Sequence, residues 1–396
     1  MTDPFTVLIM AAGQGTRMRS DLPKVLHPIC GKPMIQWVID AARDAGASRV
    51  VCVVRPGDGV KEGLPQGVEV VEQHEGEGTG AAVLAARDSV EPGPFVVLSG
   101  DHPLVTPDQL DRLLSQHLEA HAAATLLTTK LQEPAGYGRI VRNGQGEFER
   151  IVETKDAEGV APEELAIREV NLGTYVFEAP ALFDALERVT NEKGERFLTS
   201  VFPVLTADGA QIVTSNTDDL DIAHGVNDRA GLMEAEELAQ RRLLEEHARA
   251  GVTFLHPGTT RVEAGVTIGI DTVIGPGVSL LGDTAVGRGA TIGPHTTARD
   301  SRIGDEASVV HSFLVEVEVQ DRAKIGPFAY LRPGTIVRHD AKVGTFVEVK
   351  NSDVGEGAKV PHLSYIGDAD VGEGSNLGAS TITANYDGRR KHRTKL

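Results

Sequence analysis

The residues with the clearest chemical potential form a glycine-containing turn near the start of the chain. The stretch VLIMAAGQGTRM, residues 7–18, leads from an apolar run into this turn, and Arg17 and Lys24 bring positive charge to it. Successive backbone N–H groups in such a turn can cradle anionic oxygens. We therefore expect the turn to hold a phosphate group.

Two better-known phosphate loops do not match this stretch. A P-loop requires GxxxxGK[ST], and no such run occurs in the chain. The dinucleotide fingerprint GxGxxG requires a third glycine where this chain has Met18. An ordinary glycine-rich turn without a ligand stays open as an alternative on this stretch alone.

A carboxylate directly after a second apolar run adds a candidate metal ligand. Asp101 comes just past FVVL, residues 95–98. Transfer of a phosphoryl-type group between two anions is hindered by their repulsion, so it needs cations, a divalent metal and alignment. Asp101 is well placed to hold Mg²⁺, although an acidic turn residue is more often simply solvated.

The elements that must position these residues alternate along residues 1–227. Short apolar strands are predicted at 5–10, 49–54, 68–71, 95–98 and 123–129. Amphipathic helices are predicted at 33–45, closed by Gly46, and at 79–90, with Thr79 as the N-cap. The alternation predicts a Rossmann-like α/β domain with a mainly parallel sheet, whose sites lie beyond the carboxyl ends of the strands.

Residues 228–250 are rich in helix formers and predict a long linker helix. It is charged on one face and apolar at Leu232, Leu238 and Leu243.

Residues 251–396 carry a six-residue period. Aliphatic residues recur at this spacing, the register slips after 292, and the pattern resumes from 325. The period predicts a left-handed parallel β-helix in which each aliphatic side chain points inward. The recurring residues are Val262, Ile268, Ile274, Leu280, Val286 and Ile292, then Ile325, Leu331, Val337, Val343 and Val349, then Val354, Val360 and Ile366.

Composition narrows the class of protein. The length of 396 residues predicts two or three domains, and the net charge of −18 argues against a nucleic-acid partner. Two cysteines, Cys30 and Cys52, form no disulfide framework and fit a reducing compartment. No apolar run is long enough to span a membrane, and the start MTDPF lacks the basic region of a signal peptide. We expect a cytoplasmic protein.

The motifs together resemble a known family. AAGxGTRM followed by LPKVL resembles the sugar nucleotidyltransferases, which transfer a nucleoside monophosphate onto sugar 1-phosphates. With the hexapeptide repeats, the chain closely resembles the bacterial bifunctional N-acetylglucosamine-1-phosphate uridyltransferases/glucosamine-1-phosphate acetyltransferases over essentially its whole length. The further matching motifs are EGEGTGAA at 75–82, SGDHPL at 99–104, GYGRI at 136–140, IVETKDA at 151–157, VNLGTYVF at 170–177 and GVND at 225–228.

The resemblance implies that residues of the first domain bind UTP, Mg²⁺ and the sugar. Met10, Ser99 and Ser200 stand where the family commonly has Leu, Tyr and Asp, so base and sugar contacts could differ. The implied nucleotide contacts are Ala11, Ala12 and Gly13, with Arg17 and Lys24 at the phosphates, Gln73, Gly78 and Thr79 at the uracil, Ser99 and Gly100 before the metal site, Asp101 and Asn227 as magnesium ligands, and Gly138, Glu153 and Asn171 at the N-acetylglucosamine.

The resemblance also implies an acetyl-CoA-dependent site in the repeats, between subunits of a homotrimer. Acetylation of glucosamine 1-phosphate needs a base that titrates near neutrality, which suits the matching residue His362. No thiol is suitably placed, so direct transfer is expected. The implied substrate contacts are Arg332, Lys350, Tyr365 and Asn376, and those to acetyl-CoA are Ala379, Asn385, Tyr386 and Lys391.

The chain stops at RRKHRTKL, inside the repeat pattern, whereas a solenoid needs a polar cap. We expect a missing carboxyl-terminal part, retained uridyl transfer, and weak or absent acetyl transfer.

Two alternatives remain. A monofunctional sugar-1-phosphate nucleotidyltransferase would use the β-helix for assembly or regulation, and a scaffold would have no activity. The presence of Arg332, Lys350, His362, Tyr365 and Asn385 argues against the first, and that of Arg17, Lys24, Asp101 and Asn227 against the second.

Overall fold

The computed structural model describes residues 4–154, 159–189 and 194–396. The chain folds into two compact units. The first comprises residues 1–29 and 33–236, and the second comprises residues 30–32 and 237–396. The last three residues of the IVETKDA motif lie outside the described residues.

The first unit contains a mainly parallel sheet in the order β9-β5-β8-β4-β1-β2-β3, in which only β8 runs against its neighbours. The hairpin β6–β7 joins this path through β8. The strands are β1 (Thr6–Met10), β2 (Arg49–Val54), β3 (Glu69–Glu72), β4 (Pro94–Ser99), β5 (Ala124–Lys130), β6 (Arg139–Arg142), β7 (Phe148–Val152), β8 (Glu169–Glu178) and β9 (Ile212–Asn216), with a separate pair at Pro28–Ile29 and Lys32–Pro33.

The helices are α1 (Met34–Asp44), α2 (Thr79–Ala85), α3 (Pro107–Ala120), α4 (Pro162–Leu165), α5 (Ala179–Arg188), α6 (Val201–Ala207) and α7 (Arg229–Arg249). Residues of α1 and α3 join the core cluster on one face of the sheet, and residues of α2, α5 and α6 join the cluster on the other face. Short 3-10 helices occur at Thr16–Met18, Lys24–Leu26, Lys61–Gly63, Arg87–Ser89, Leu198–Ser200, Leu220–Ala223 and Pro257–Thr259.

The central strands are apolar throughout because both faces of the sheet are covered. On β1, Val7 and Ile9 join a core cluster that includes Ile35 of α1, whereas Leu8 faces the cluster that includes Phe202 of α6. A parallel strand buried on both faces reads as a continuous apolar run rather than an alternating one. This explains why the predicted strands agree with the observed ones to within one residue at each end.

Two helical predictions need correction. The helix predicted over 79–90 ends at Ala85 and is followed by the 3-10 helix Arg87–Ser89. Thr79 is the first helical residue and not the N-cap, which is Gly78. The Thr79 hydroxyl instead accepts a hydrogen bond from the Leu198 amide at 2.9 Å, so a tertiary partner has replaced the local capping bond.

The long helix α7 forms as predicted, but its most buried side chains are not the three leucines named from the sequence. Its buried side chains are Ala235, Ala239 and Leu244, while Leu232, Leu238 and Leu243 are half-buried. Among the described residues, no helix combines the length and apolar character needed to cross a membrane.

The second unit is a left-handed parallel β-helix whose short strands stack in three columns. The first column contains Thr253–Phe254, Val273–Ile274, Thr291–Gly293, Ser308–Val310, Lys324–Ile325 and Lys342–Lys350. The second contains Arg261–Val262, Ser279–Leu281, Thr297–Arg299, Phe313–Val315 and Tyr330–Leu331, continues into Lys342–Lys350, and ends with Lys359–Gly367. The third contains Thr267–Ile268, Ala285–Val286, Arg302–Ile303, Glu318–Val319, Ile336–Val337, Asp353–Val354, Ala369–Val371 and Thr394–Lys395.

The register slip between 292 and 325 reflects shorter coils. Leu280 pairs with Ala298, one full eighteen-residue coil later, but Ala298 pairs with Leu314, only sixteen residues later. Ala298 and Leu314 are both fully buried, so the core continues through the slip. The aliphatic residues predicted to point inward are buried, except Ile268, which is partly buried against the core.

Candidate functional site

The glycine-containing turn connects the end of β1 to the 3-10 helix Thr16–Met18. The Ala11 amide donates to the Val53 carbonyl at 2.8 Å, which extends the pairing with β2 by one residue. Gly15 has a φ of +61°, and a Cβ there would lie 2.7 Å from the Cβ of Lys24. Glycine is therefore required at this position, and it brings the turn against the segment that carries Lys24.

Asp101 lies next to this turn because β1 and β4 are neighbours. Met10 is in register with Ser99, and the Gly100 amide donates to the Met10 carbonyl at 2.9 Å. A Cβ on Gly100 would lie 3.2 Å from that same carbonyl oxygen. The carboxyl ends of the two strands thus place the turn and Asp101 at one edge of the sheet.

Asp101 is held as a carboxylate by its neighbours. Burial raises its pKa, but the Lys24 ammonium, His102 and the Ser99 hydroxyl outweigh burial and lower the pKa to about 2. Lys24 forms a hydrogen-bonded ion pair with Oδ2, and Ser99 Oγ donates to Oδ1 at 2.5 Å. For His102, burial and Lys24 outweigh the attraction of Asp101, so its pKa lies below the ordinary value.

Asn227 joins the same cluster. The Val226 amide donates to the Asp101 carbonyl at 2.9 Å, which brings the segment before α7 to this edge. Arg17 Nη2 donates to Asn227 Oδ1 at 2.8 Å. Both residues predicted as magnesium ligands therefore contact a cationic side chain predicted to bind phosphate.

The donors at this edge fit a magnesium ion. One ionised carboxylate and one amide oxygen are hard ligands, and Mg²⁺ is usually bound by one or two such groups together with water and substrate phosphates. Within the described parts of the chain, no three His, Cys, Asp or Glu side chains cluster as a closed metal site.

The residues predicted to contact uracil follow β3. The Gln73 amide donates to the Val54 carbonyl at 2.9 Å, and its side chain donates to the Gly76 carbonyl at 2.9 Å. Gly78 has a φ of +96°, and a Cβ there would lie 2.5 Å from the Arg196 carbonyl oxygen. The segment around Arg196 therefore fixes this loop, a long-range contact that the motif did not indicate.

The residues predicted to contact the sugar converge from β6, β7 and β8. The Asn171 amide donates to the Gly138 carbonyl at 2.9 Å, and a Cβ on Gly138 would lie 3.7 Å from either Glu153 carboxylate oxygen. Glu153 accepts a hydrogen bond from Thr199 Oγ1 at 2.9 Å, and Asn171 Nδ2 donates to the Tyr175 hydroxyl at 2.7 Å. Thr199 and Tyr175 were not singled out from the sequence.

The second cluster lies on the two long strands of the β-helix. Thr345 is in register with His362, and Glu348 with Tyr365. Arg332 Nη1 donates to Glu348 Oε1 at 2.8 Å, so Arg332 contacts the first of these two strands, beside Tyr365 on the second. The His362 side chain is exposed, and its ring makes no hydrogen bond to the described residues.

Asp368 contacts several other polar side chains of this cluster. Lys350 Nζ lies 3.8 Å from Asp368 Oδ2, and Asn385 Nδ2 donates to that oxygen at 2.6 Å. The pKa of Asp368 lies below its ordinary value, mainly because Asn351 donates a hydrogen bond to it. A hydrogen bond from Asn385 and the charges of Lys350 and Lys391 lower the pKa further, whereas burial raises it. Sequence reasoning missed Asp368 and Glu348 because acidic residues are common on exposed coils.

The outer part of the predicted acetyl-CoA site is less enclosed. The backbone of Asn376 forms an isolated parallel β-bridge with that of Lys359. The backbone of Tyr386 forms an isolated antiparallel β-bridge with that of Lys391. Ala379, Tyr386 and Lys391 are exposed, and no described contact joins Ala379 to the Asp368 cluster.

Comparison with known proteins identifies both units. Residues 7–207 match the model of the MobA-like NTP transferase domain, and residues 265–300 match bacterial transferase hexapeptide repeats. A solved UDP-glucose pyrophosphorylase in complex with UDP-glucose aligns over 60% of this chain and 99% of its own, with a TM-score of 0.51 and 21% identity. That likeness shows the fold of the first unit.

Full-length relatives carry both units in one chain. The bifunctional protein GlmU of Halalkalibacterium halodurans is 46% identical over 100% of this chain and 87% of its own length. That of Desulfitobacterium hafniense is 46% identical over 98% of this chain and 86% of its own length. The chain therefore belongs to the bifunctional GlmU family.

Proposed function

We propose that this chain synthesises UDP-N-acetylglucosamine in two steps. The β-helix transfers acetyl from acetyl-CoA to glucosamine 1-phosphate. The first unit then transfers uridylate from UTP to N-acetylglucosamine 1-phosphate and releases pyrophosphate. The observation that carries the second reaction is the cluster of Arg17, Lys24, Asp101 and Asn227 at the carboxyl edge of the sheet.

Uridyl transfer in this cluster requires charge neutralisation rather than a base. A sugar 1-phosphate is largely dianionic at neutral pH because the second pKa of a phosphate lies near 6. Its oxygen forms a bond to the α-phosphorus of UTP, and the bond from that phosphorus to the bridging oxygen breaks, so that the electron pair leaves with pyrophosphate. Arg17 and Lys24 reduce the repulsion between the two anions.

Asp101 and Asn227 would hold Mg²⁺, which supplies further neutralisation of the phosphate oxygens when bound. Because its pKa is about 2, Asp101 is ionised throughout the physiological range. Lys24 and Arg17 are each within hydrogen-bonding distance of one of these two residues. Lys24 therefore neutralises Asp101 before substrates bind, and the additional positive charge of Arg17 favours the phosphates.

Acetyl transfer is assigned to the part of the two long β-helix strands that surrounds His362. His362 accepts the proton of the amine as the nitrogen forms a bond to the thioester carbonyl carbon and the CoA thiolate leaves. Arg332 and Lys350 bind the sugar phosphate, and Glu348 and Asp368 orient those two cations through their contacts. Tyr365, Asn376, Ala379, Asn385, Tyr386 and Lys391 complete the substrate and acetyl-CoA contacts.

Assembly as a cytoplasmic homotrimer completes the proposal. One corner of the β-helix carries a column of rings: His311 packs against Phe328 in a tilted arrangement with centroids 4.4 Å apart, and Phe328 stacks on Phe346 at 5.2 Å. Phe346 is 58% exposed, and Leu363 continues the column at 59%. An exposed apolar column of this kind supports burial against other subunits. Cys30 and Cys52 are buried, and neither forms a disulfide within the described residues, which supports a reducing compartment.

Pyrophosphate release from a panel of nucleoside triphosphates and sugar 1-phosphates tests the proposal. UTP with N-acetylglucosamine 1-phosphate should be the preferred pair, and magnesium should be required. A preference for GTP or ATP would favour the monofunctional nucleotidyltransferase, and no product with any pair would favour a scaffold. Acetyl-CoA turnover by the same preparation tests the assignment of acetyl transfer to the β-helix.

A further inference from the structure

His102 is a mostly buried histidine beside the metal site, and uridyl transfer as described above does not use it. It directly follows Asp101 in the chain, and its side chain is 20% exposed. Its backbone amide donates to the Ser99 carbonyl at 3.2 Å, but its ring makes no hydrogen bond to the described residues. The fold therefore holds an imidazole at this edge of the sheet that hydrogen bonding within the protein does not explain.

The ring nitrogen Nε2 of His102 lies near the carboxylate of Asp101. Nε2 is 3.8 Å from Asp101 Oδ1, which is beyond the range of a hydrogen bond. An octahedral divalent ion holds its ligands at about 2.1 Å, so two atoms bound to the same ion lie about 3 to 4.2 Å apart. The observed separation therefore suits two ligands of one ion.

The two carboxylate oxygens of Asp101 have different partners. Oδ2 pairs with the Lys24 ammonium, whereas Oδ1, the oxygen near His102, accepts a hydrogen bond from Ser99 Oγ at 2.5 Å. A carboxylate has about four lone-pair sites on its two oxygens. Oδ1 can therefore bind a metal ion while it keeps its hydrogen bond from Ser99.

Gly225 leaves space for the ring on the segment that leads to Asn227. A Cβ at position 225 would lie 2.5 Å from His102 Nε2. The φ of Gly225 is not in the left-handed region, so the ring rather than the backbone conformation explains a glycine here. The Val226 amide donates to the Asp101 carbonyl at 2.9 Å, and Asn227 comes next. Nε2 therefore lies close to both segments that carry the other two ligands.

We propose that His102 Nε2 is a third protein ligand of the divalent ion held by Asp101 and Asn227, and that it favours transition ions such as Mn²⁺ over Mg²⁺ at this site. The inference rests on the proposed function. Mg²⁺ is a hard ion that is usually held by oxygen ligands, whereas an imidazole nitrogen suits first-row transition ions. A site with one carboxylate, one amide oxygen and one imidazole therefore discriminates between these ions more strongly than a site with oxygen ligands alone.

Pulsed electron paramagnetic resonance of bound Mn²⁺ tests the ligation directly and needs no turnover. Mn²⁺ alone is added to the protein in less than equimolar amount, and the echo modulation from a directly bound nitrogen is recorded. The unsubstituted protein should show this coupling. H102F, which keeps a planar ring beside Gly225 but has no ring nitrogen, should lose it. H121N is the matched control and should retain it, because His121 is exposed at the carboxyl end of α3 and its side chain makes no described contact.

Competition between the two ions gives a second readout. The signal of free Mn²⁺, measured with and without Mg²⁺, gives the dissociation constants of both ions. H102F should weaken Mn²⁺ binding about tenfold and Mg²⁺ binding much less, because losing even an outer partner of a metal ligand commonly costs at least that factor. D101N should lose the nitrogen coupling, which assigns the bound ion to this site.

Three outcomes would overturn the inference. The first is Mn²⁺ bound to the unsubstituted protein without a nitrogen coupling, which decides the question even if H102F does not fold. The second is a coupling that persists in H102F or D101N, because it would come from another histidine. The third is an equal loss of Mn²⁺ and Mg²⁺ affinity in H102F, because it would indicate a change of packing beside Gly225.

Pyrophosphate release distinguishes this inference from the proposed function. If the unsubstituted protein releases none from UTP and N-acetylglucosamine 1-phosphate with either ion, the proposed function fails. If that protein is active and its bound Mn²⁺ shows no nitrogen coupling, only the role of His102 fails.

Discussion

The buried pair of Asp101 and Lys24 should stabilise the first unit as well as serve catalysis. The Asp101 side chain is 17% exposed and that of Lys24 is 12% exposed. Replacing Asp101 by Asn keeps the size of the side chain but removes the charge and leaves Lys24 buried without its counter-ion. We therefore expect D101N to be folded, less stable, and nearly inactive in uridyl transfer.

The expected loss of folding stability in D101N follows from the pKa of Asp101. The pKa falls from 3.8 to about 2 in the folded protein. One pKa unit corresponds to about 1.4 kcal/mol, so the ionised carboxylate contributes on the order of 2 kcal/mol to folding. Because the folded pKa is depressed, this stability is fully present above the unfolded value of 3.8 and is lost as the pH falls through about 2.

Tryptophan fluorescence provides the assay because the chain has one tryptophan, Trp37, which lies on α1 of the first unit. Urea unfolding in metal-free buffer should show D101N less stable than the unsubstituted protein by about 2 kcal/mol at pH 7. The difference should shrink between pH 4 and pH 2. D111N is the control, since Asp111 is exposed on α3 and makes no described side-chain contact. A difference that stays constant down to pH 2 would refute the electrostatic explanation.

Three further predictions concern other parts of the molecule. G78A should destabilise the first unit by more than about 1 kcal/mol and raise the KM for UTP, because the new methyl group would clash with the Arg196 carbonyl oxygen. G57A is the control in the same unfolding and kinetic assays, because Gly57 also has a positive φ but its new methyl group would meet no other atom. Relative to the acetyl transfer measured for the unsubstituted protein, H362Q should lower this activity by about 10² or more while pyrophosphate release stays unchanged, and parallel loss of both activities would contradict a local role for the base. F346S should shift the protein toward smaller species in light scattering, and an unchanged mass would exclude this column from the subunit interface.

Periodicity was sufficient to predict most of the architecture. A parallel sheet covered on both faces produces continuous apolar runs such as the one ending at Met10, so its strands could be located without any knowledge of contacts. A β-helix repeats its inward positions along the chain, so its six-residue period is visible locally. Both signals depend on near neighbours in sequence, which is why they are readable from sequence alone.

Only the tertiary structure decided which side chains meet. Leu314 fills an inward position that strict six-residue spacing passes over, because the coil from Ala298 to Leu314 has only sixteen residues. Thr79 bonds to Leu198 instead of capping its own helix. The pairing of Lys24 with Asp101, and the contact of Arg17 with Asn227, join residues 77 and 210 positions apart. Such contacts depend on the order of strands in the sheet and the return of the chain at α7, and no local pattern records that order.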